Sequence, residues 1–180
     1  METYIALLRG INVSGQKKIK MADLREQLSG LGLAEVRTYI QSGNIVFRHP
    51  ATEPQVLAQK IKSQIQADYG FEVPTLVLRP TDLDYVLQHN PFAQDPDKDP
   101  SRWYLTFLAT APPAERIATL AQVDYAPEEF VLDGTNIFFY SPKGYGRAKM
   151  NNNFFEQKLK VAATTRNWRT INKLWEMCQA

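Results

Sequence analysis

The segment Ser42-Gly43-Asn44-Ile45-Val46-Phe47 is nearly repeated later in the chain as Gly134-Thr135-Asn136-Ile137-Phe138-Phe139. In each copy, small and polar residues typical of a tight turn stand directly before β-branched and aromatic residues typical of a strand. A strand-like segment also precedes each turn, at Val36–Gln41 and at Phe130–Leu132. The repetition predicts two similar β-hairpins and indicates an internally duplicated fold.

The residues around the first hairpin predict the order strand, helix, hairpin, helix, strand over residues 1–80. Apolar residues at helical spacing indicate both helices, and Thr52 with Gln55 is typical of a capping box at the start of the second. Gly70 is expected to end that helix. The outer strands are predicted at Tyr4–Leu8 and Val73–Leu78. This order is that of the ferredoxin-like plait.

Residues 81–180 are predicted to repeat this order after a connecting helix. The final strand of this copy is expected to be replaced by a C-terminal helix over Thr165–Cys178, with Thr165 as its N-cap. The predicted fold class is therefore α+β, with duplicated ferredoxin-like βαββα units at 1–80 and 81–180. Units of this size bury little surface alone, so we expect them to pack into one compact body.

The chain has 180 residues, of which 44% are hydrophobic and 22% are charged. This composition is typical of a globular protein and excludes collagen-like, disulfide-rich and wholly disordered chains. The single cysteine, Cys178, cannot form an internal disulfide, so we expect a reducing cytoplasmic location. No apolar run reaches the ~20 residues that span a bilayer, and no membrane partner is expected.

The net charge of +2 conceals an uneven distribution along the chain. Residues 1–80 carry +3, residues 81–142 carry −7 and residues 143–180 carry +6. This segregation predicts a polarised surface on which basic regions face an anionic partner.

Three separated motifs resemble a widespread bacterial family of proteins with a domain of unknown function. The motifs are Leu8-Arg9-Gly10-Ile11-Asn12-Val13, Tyr39-Ile40-Gln41-Ser42-Gly43-Asn44 and Ala163-Thr164-Thr165-Arg166-Asn167-Trp168-Arg169-Thr170. The resemblance extends over essentially the whole chain and implies a single-chain duplication of plait-like units. It implies no activity, cofactor or catalytic residue.

The loop after the first predicted strand contains the cations Arg9, Lys17, Lys18 and Lys20. It differs from a P-loop, because Gln16 separates the second glycine from lysine and Lys18 stands where a hydroxyl is required. In a plait of this order, the loop and the first hairpin turn lie at one edge of the sheet. The amides of Asn12, Gln41 and Asn44 are therefore expected near these cations, although turn geometry alone accounts for Asn44.

Two further basic segments lie toward the C-terminus. Lys143-Gly144-Tyr145-Gly146 matches only the beginning of an RNA-recognition consensus, and Arg147 and Lys149 continue it as a basic loop. On the predicted last helix, Arg166 shares a face with Arg169 and Lys173, opposite the apolar residues. A solvated helix face explains these cations equally well.

We interpret the sequence as that of a non-catalytic binding protein for a phosphate-bearing ligand, either nucleic acid or a phosphorylated small molecule such as a nucleotide. The predicted ligand-binding residues are Arg9, Asn12, Lys17, Lys18, Gln41, Asn44, Arg147, Lys149 and Arg166. No metal, cofactor or catalytic residue is predicted, because His49, His89 and Cys178 lack the spacing of a metal site. Two alternatives stay open, an enzyme acting on a small anionic metabolite in a groove between the units and a protein-interaction module.

Overall fold

A computed structural model describes residues 1–180 and contains six α-helices and two four-stranded antiparallel sheets. The mixed helix and sheet content confirms the predicted α+β class. The chain divides into two compact units. The first comprises Met1–Tyr85 together with Lys173–Ala180, and the second comprises Val86–Asn172.

The first unit alternates strands and helices around one sheet. Its elements are β1 (Glu2–Leu8), α1 (Met21–Gly30), β2 (Ala34–Tyr39), β3 (Asn44–His49), α2 (Pro54–Tyr69) and β4 (Thr75–Leu78). The strands lie in the order β2-β3-β1-β4. A further helix, α3 (Pro80–Gln88), follows β4 after a single residue.

The core of the first unit contains one face of the sheet together with the apolar faces of α1 and α2. Alternate residues of a strand point to one face, and Tyr4, Ala6 and Leu8 of β1 are fully buried in this core. Leu28 of α1 and Ile61 of α2 belong to the same cluster. The helices are therefore stabilised mainly by burial of an amphipathic face.

The two ends of α2 can be compared with two predictions from the sequence, a glycine cap at the C-terminus and a capping box at the N-terminus. Gly70 ends the helix in the left-handed conformation, with φ 75°, and its N–H donates to the carbonyl of Gln66 at 2.9 Å. The predicted glycine cap is confirmed. The predicted capping box is wrong, because α2 has no side-chain cap and the hydroxyl of Thr52 donates to the carbonyl of Pro50 instead.

The second unit contains β5 (Trp103–Leu108), α4 (Ala114–Ala121), β6 (Glu129–Asp133), β7 (Asn136–Tyr140), α5 (Asn152–Leu159) and β8 (Ala163–Asn167). Its strands lie in the order β6-β7-β5-β8. Short 3₁₀ helices at Pro91–Gln94 and Pro100–Arg102 precede β5. The last helix, α6 (Trp168–Gln179), begins directly after β8.

The expectation that a helix replaces the last strand of the second copy is wrong. Residues 163–167 form β8, which pairs with β5 and places Thr165 opposite Thr106. The hydroxyls of these two residues lie 2.7 Å apart, and Thr165 Oγ1 donates to Oδ1 of Asn152 at 2.9 Å. Because polar side chains satisfy one another here, this strand lacks the apolar alternation that identifies strands in a sequence.

The last helix consequently begins later than predicted. α6 starts at Trp168, and Oδ1 of Asn167 accepts a hydrogen bond from the N–H of Thr170 at 2.8 Å, in the manner of an N-cap. Thr165 is therefore not the N-cap. Arg166 lies on β8 and does not share a helix face with Arg169 and Lys173.

None of the six helices combines the length with the apolar composition needed to cross a membrane.

Candidate functional site

Two segments meet at one edge of the sheet in the first unit. The loop after β1 contacts the turn after β2, because Nδ2 of Asn12 donates to the carbonyl of Gln41 at 2.9 Å. The N–H of Leu8, at the end of β1, also donates to the carbonyl of Gly43 at 2.8 Å. We call residues 9–20 and 40–43 together the basic edge.

Asn12 organises the loop of the basic edge. Its Nδ2 donates to the carbonyl of Ile19 as well as to that of Gln41, each at 2.9 Å, and its Oδ1 accepts from the N–H of Ile19 at 2.9 Å. The main-chain N–H of Asn12 donates to the carbonyl of Lys17 at 3.2 Å. The Asn12 side chain therefore holds the loop in place instead of presenting its amide to a ligand.

The backbone of the basic edge is strained. Six non-glycine residues of the chain have positive φ, and four of them lie here. These four are Asn12 (54°), Ser14 (50°), Lys17 (45°) and Ile40 (49°). A left-handed conformation costs an L-residue roughly 1–2 kcal/mol and is an outlier for a β-branched side chain. The surrounding contacts must compensate for this cost.

Gly43 allows the turn to approach β1 closely. It has φ 77°, and a Cβ at this position would overlap Cβ of Leu8 and lie 3.1 Å from Cδ1 of Ile11. The Asn44 side chain that follows is fully buried, and its Nδ2 donates to the carbonyl of Tyr39 and to Oγ of Ser42. Asn44 therefore shapes the turn from inside.

The cations of the basic edge differ in whether their side chains form hydrogen bonds within the protein. Nζ of Lys17 donates to the carbonyl of Glu72 at 2.6 Å. Arg9 is half-buried, and its N–H donates to the carbonyl of Pro74 at 3.0 Å. The side chains of Lys18 and Lys20 are exposed and make no hydrogen bond or ion pair with the protein. These two ammonium groups are available to an external anion.

Apolar side chains are exposed on the same edge. Val13 is 56% exposed near the tip of the loop, and Ile40 is 52% exposed at the start of the turn. The side chain of Gln41, beside Ile40, is also exposed. A ligand at this edge would therefore meet two ammonium groups, one amide and two aliphatic side chains.

The remaining three predicted site residues lie in the second unit. Arg147 is exposed in a short 3₁₀ helix, and Lys149 is exposed while its main-chain N–H donates to Oε1 of Glu128 at 2.8 Å. Arg166 is opposite Leu105 in the sheet. Burial lowers the pKa of Arg166 to about 10, which sets it apart from the exposed cations of the chain.

Comparison with known proteins identifies the family of this chain. A family model described as "Protein of unknown function (DUF1697)" matches residues 1–138. The chain belongs to this family. A search of curated protein sequences gave no significant match.

A solved structure shares the fold of this DUF1697 chain over nearly its full length. It is "The structure of conserved bacterial protein SP0830 from Streptococcus pneumoniae", 27% identical in sequence with a TM-score of 0.76. The alignment covers 98% of each chain. The chain is thus similar to a conserved bacterial protein, and the similarity includes the part beyond residue 138.

Sequence reasoning missed two features of the basic edge in this DUF1697 chain. The exposure of Val13 and Ile40 is not predictable from the sequence, since exposure of a single aliphatic side chain has no sequence signal. The left-handed conformation of Ile40 was also hidden, because β-branched residues favour strands. Only the polar residues and glycines around Ile40 marked the position of the turn.

Proposed function

We propose that this protein binds a phosphate-bearing ligand, nucleic acid in the first place, through the basic edge and without catalysis. The observation that carries the proposal is the concentration of left-handed non-glycine residues in an edge that also presents Lys18 and Lys20 to solvent. Strained backbone is typically retained at ligand-binding positions, because the surrounding structure must compensate for its cost.

The arrangement is suited to an extended polyanion. Asn12 fixes the loop against the turn, so the ligand need not order these segments. Lys18 and Lys20 are ammonium groups without a protein anion, and such groups bind phosphates with release of counterions. The exposed Gln41 amide adds a polar contact suited to a sugar or phosphate oxygen.

The predicted ligand-binding residues take different roles in this proposal. Lys18 and Gln41 contact the ligand together with Lys20. Asn12, Lys17 and Asn44 hold the edge in shape through their hydrogen bonds within the protein. Arg9 adds positive charge behind the loop, and the basic residues of the second unit, Arg147, Lys149 and Arg166, supply secondary contacts.

We also propose that residues 1–80 and 81–180 are two domains, each containing one copy of a duplicated ferredoxin-like plait. The strand orders β2-β3-β1-β4 and β6-β7-β5-β8 correspond position by position, which supports this interpretation. Each unit also follows its first and third strands with a helix. The similar turn sequences at Gly43-Asn44 and Thr135-Asn136 provide independent support.

Binding of the full-length protein to labelled single-stranded and double-stranded oligonucleotides tests the function. We expect the logarithm of the affinity to fall linearly with the logarithm of the salt concentration between about 50 and about 200 mM. The double variant Lys18→Gln/Lys20→Gln should reduce the magnitude of this slope by about 2, because each phosphate contact contributes roughly 1.

A matched control separates a local contact from a general charge effect. Arg116→Gln/Lys158→Gln removes the same charge from exposed positions on α4 and α5 in the second unit. We expect this control to bind nearly as tightly as the unmodified protein. Absent binding, salt-independent binding or equal losses in the two double variants would contradict the proposal.

A further inference from the structure

The second unit contains a cavity of about 320 Å³ that the proposed function does not use. Its lining residues come from three elements, the 3₁₀ helix at Pro100–Arg102, β5, and the junction of β8 with α6. They are Pro100, Ser101, Tyr104, Asn167, Trp168 and Arg169. We call this cavity the α6 pocket. Its volume lies near the lower end of the range for small-molecule sites, about 300–1,000 Å³.

Hydrogen bonds and ring contacts hold the walls of the α6 pocket. Tyr104 is opposite Asn167 in the sheet, and the hydroxyl of Tyr104 accepts from the N–H of Tyr145 at 3.1 Å. The ring of Trp168 packs edge to face with that of Trp103, with centroids 5.8 Å apart. The pocket is therefore formed before any ligand binds, which lowers the entropy cost of binding.

The part of the lining that comes from the 3₁₀ helix at Pro100–Arg102 is held by a carboxylate. Asp99 accepts hydrogen bonds from the N–H and the Oγ of Ser101, at 2.8 and 2.7 Å. These two bonds, with the nearby charge of Arg102, lower the pKa of Asp99. The carboxylate of Asp99 thus accepts hydrogen bonds from the 3₁₀ helix that it precedes. Asp99 is not among the residues that line the pocket.

The lining residues present an excess of hydrogen-bond donors. The guanidinium of Arg169 is exposed and makes no hydrogen bond or ion pair with the protein. Asn167 uses its Oδ1 as a cap, which leaves its Nδ2 without a protein acceptor, and the indole N–H of Trp168 also has none. Three consecutive lining residues, 167–169, therefore carry donors for which the protein supplies no acceptor, and such donors favour a ligand that supplies anionic oxygens.

The same pocket offers aromatic surface beside these donors. Trp168 and Tyr104 both line it. The Tyr104 ring packs on those of Phe139 and Tyr145, whereas the indole of Trp168 is half-buried and offers a surface on which a planar heterocycle can stack. A guanidinium binds a phosphate through two parallel hydrogen bonds. A planar base joined to a phosphate satisfies both features, whereas either group alone satisfies only one.

We infer that the α6 pocket binds a nucleoside monophosphate group, with the base on Trp168 and the phosphate at Arg169 and Asn167. The inference is independent of the proposed function, since every lining residue belongs to the second unit and none to the basic edge. Two ligands carry this nucleoside monophosphate group, a free mononucleotide and the phosphorylated end of a nucleic acid strand.

Calorimetric titration of the full-length protein with adenosine monophosphate tests the pocket. Adenosine and inorganic phosphate serve as the two half-ligands. We expect saturable binding of the monophosphate and at least about tenfold weaker binding of each half, because each loses one of the two interactions. The indole N–H resonance of Trp168 should shift with the same saturation curve.

Two charge-matched variants identify the residue that binds the phosphate. Arg169→Gln should weaken binding of the monophosphate about tenfold or more. Arg116→Gln, which removes an exposed guanidinium from α4 outside the pocket, should leave it unchanged. Lys18→Gln/Lys20→Gln should also leave it unchanged, so failure of the basic edge and failure of the pocket are distinguishable.

A 5′-phosphorylated dinucleotide distinguishes the two sources. If the dinucleotide binds more tightly than the mononucleotide, and Arg169→Gln weakens both by the same factor, the site is supported and its ligand is the phosphorylated end of a nucleic acid strand. Equal or weaker binding supports the site and assigns it to a free mononucleotide. The inference is overturned if neither ligand saturates, if adenosine binds as tightly as its monophosphate, or if folded Arg169→Gln and Arg116→Gln bind alike.

Discussion

The loop that follows the first strand differs strongly between the two units, although its backbone attachments are alike. In the first unit, the N–H of Leu8 donates to the carbonyl of Gly43 at 2.8 Å. In the second, the N–H of Leu108 donates to the carbonyl of Thr135, also at 2.8 Å. The same main-chain bond thus joins the end of the first strand to the hairpin turn in both units.

A second pair of attachments repeats this pattern. The N–H of Arg9 donates to the carbonyl of Pro74 at 3.0 Å, and that of Ala109 donates to the carbonyl of Ala162 at 2.8 Å. Both bonds fix the first strand to the residues that lead into the last one. Main-chain groups make all four bonds, so the hydrogen bonds themselves are the same whichever side chains these positions carry.

The loops themselves share little. Residues 9–20 carry four cations and, in addition to two glycines, three left-handed non-glycine residues. Residues 109–113 form a shorter segment with two prolines, no cation and no positive φ. Ile11 and Ile19 of the longer loop belong to the core of the first unit. The second unit closes its edge without a basic loop, however, so the exposed cations Lys18 and Lys20 are not needed for that closure. This difference favours a binding role for them.

The largest expected effect comes from breaking the close approach that only the first unit has. Gly43→Ala should reduce the free energy of unfolding by about 3 kcal/mol, because the new methyl group overlaps Leu8 and the residue has positive φ. Thr135→Ala, at the exposed counterpart, should change it by less than about 0.5 kcal/mol. Urea unfolding of both variants measures the difference, and equal costs would remove the distinction between the turns.

A smaller effect is expected from the residue that ties the long loop to the turn. Asn12→Ala should cost about 2 kcal/mol, because three side-chain hydrogen bonds are lost and alanine must adopt φ 54°. Asn12→Gly loses the same bonds but accepts the backbone conformation, so it should cost about 1 kcal/mol less. A cost of Asn12→Ala below about 0.5 kcal/mol would show that the loop is not held through this side chain.

The smallest effect concerns one pair of residues between the first and last strands, which is polar in the second unit and apolar in the first. Thr106 and Thr165 are paired in β5 and β8, whereas Ala6 and Val77 are paired in β1 and β4. Thr165→Val should cost about 1 kcal/mol, because Oδ1 of Asn152 then loses its donor. Thr165→Ser keeps the hydroxyl and should retain the bond. Thermal unfolding measures the midpoint temperatures of the two variants. A higher midpoint for Thr165→Val than for Thr165→Ser would contradict this role of the hydroxyl.

The hairpins and the glycine cap of α2 were predictable because local chemistry determines them. Gly43 and Gly70 both have positive φ, which glycine adopts without steric cost. The strand β8 was not predictable, because its polar side chains are satisfied by the distant residues Thr106 and Asn152. Thr165 and Asn167 are both residue types that favour N-caps, and only the sheet pairing shows which of them precedes the helix.

The candidate site was predictable in position but not in the roles of its residues. Basic and amide residues at loop tips indicated the edge. Which of them is free depends on contacts between distant parts of the chain, such as the bond from Lys17 to the carbonyl of Glu72. Asn44 is among the predicted ligand-binding residues, yet burial removes its amide from solvent. The α6 pocket is lined by residues as far apart in the sequence as Pro100 and Arg169, and no local sequence pattern predicts that these residues lie together.

The first unit is discontinuous along the chain, and this has a consequence for the order in which the protein is made. Its residues Lys173–Ala180 follow the whole of the second unit. Nη2 of Arg37 donates to the carbonyl of Met177 at 2.7 Å, and Leu174 is fully buried. A ribosome delivers the chain from its N-terminus, so the unit that begins first is completed last. Until Met177 emerges, the nascent first unit lacks the acceptor for Arg37, and it is completed only after the whole of the second unit has been synthesised.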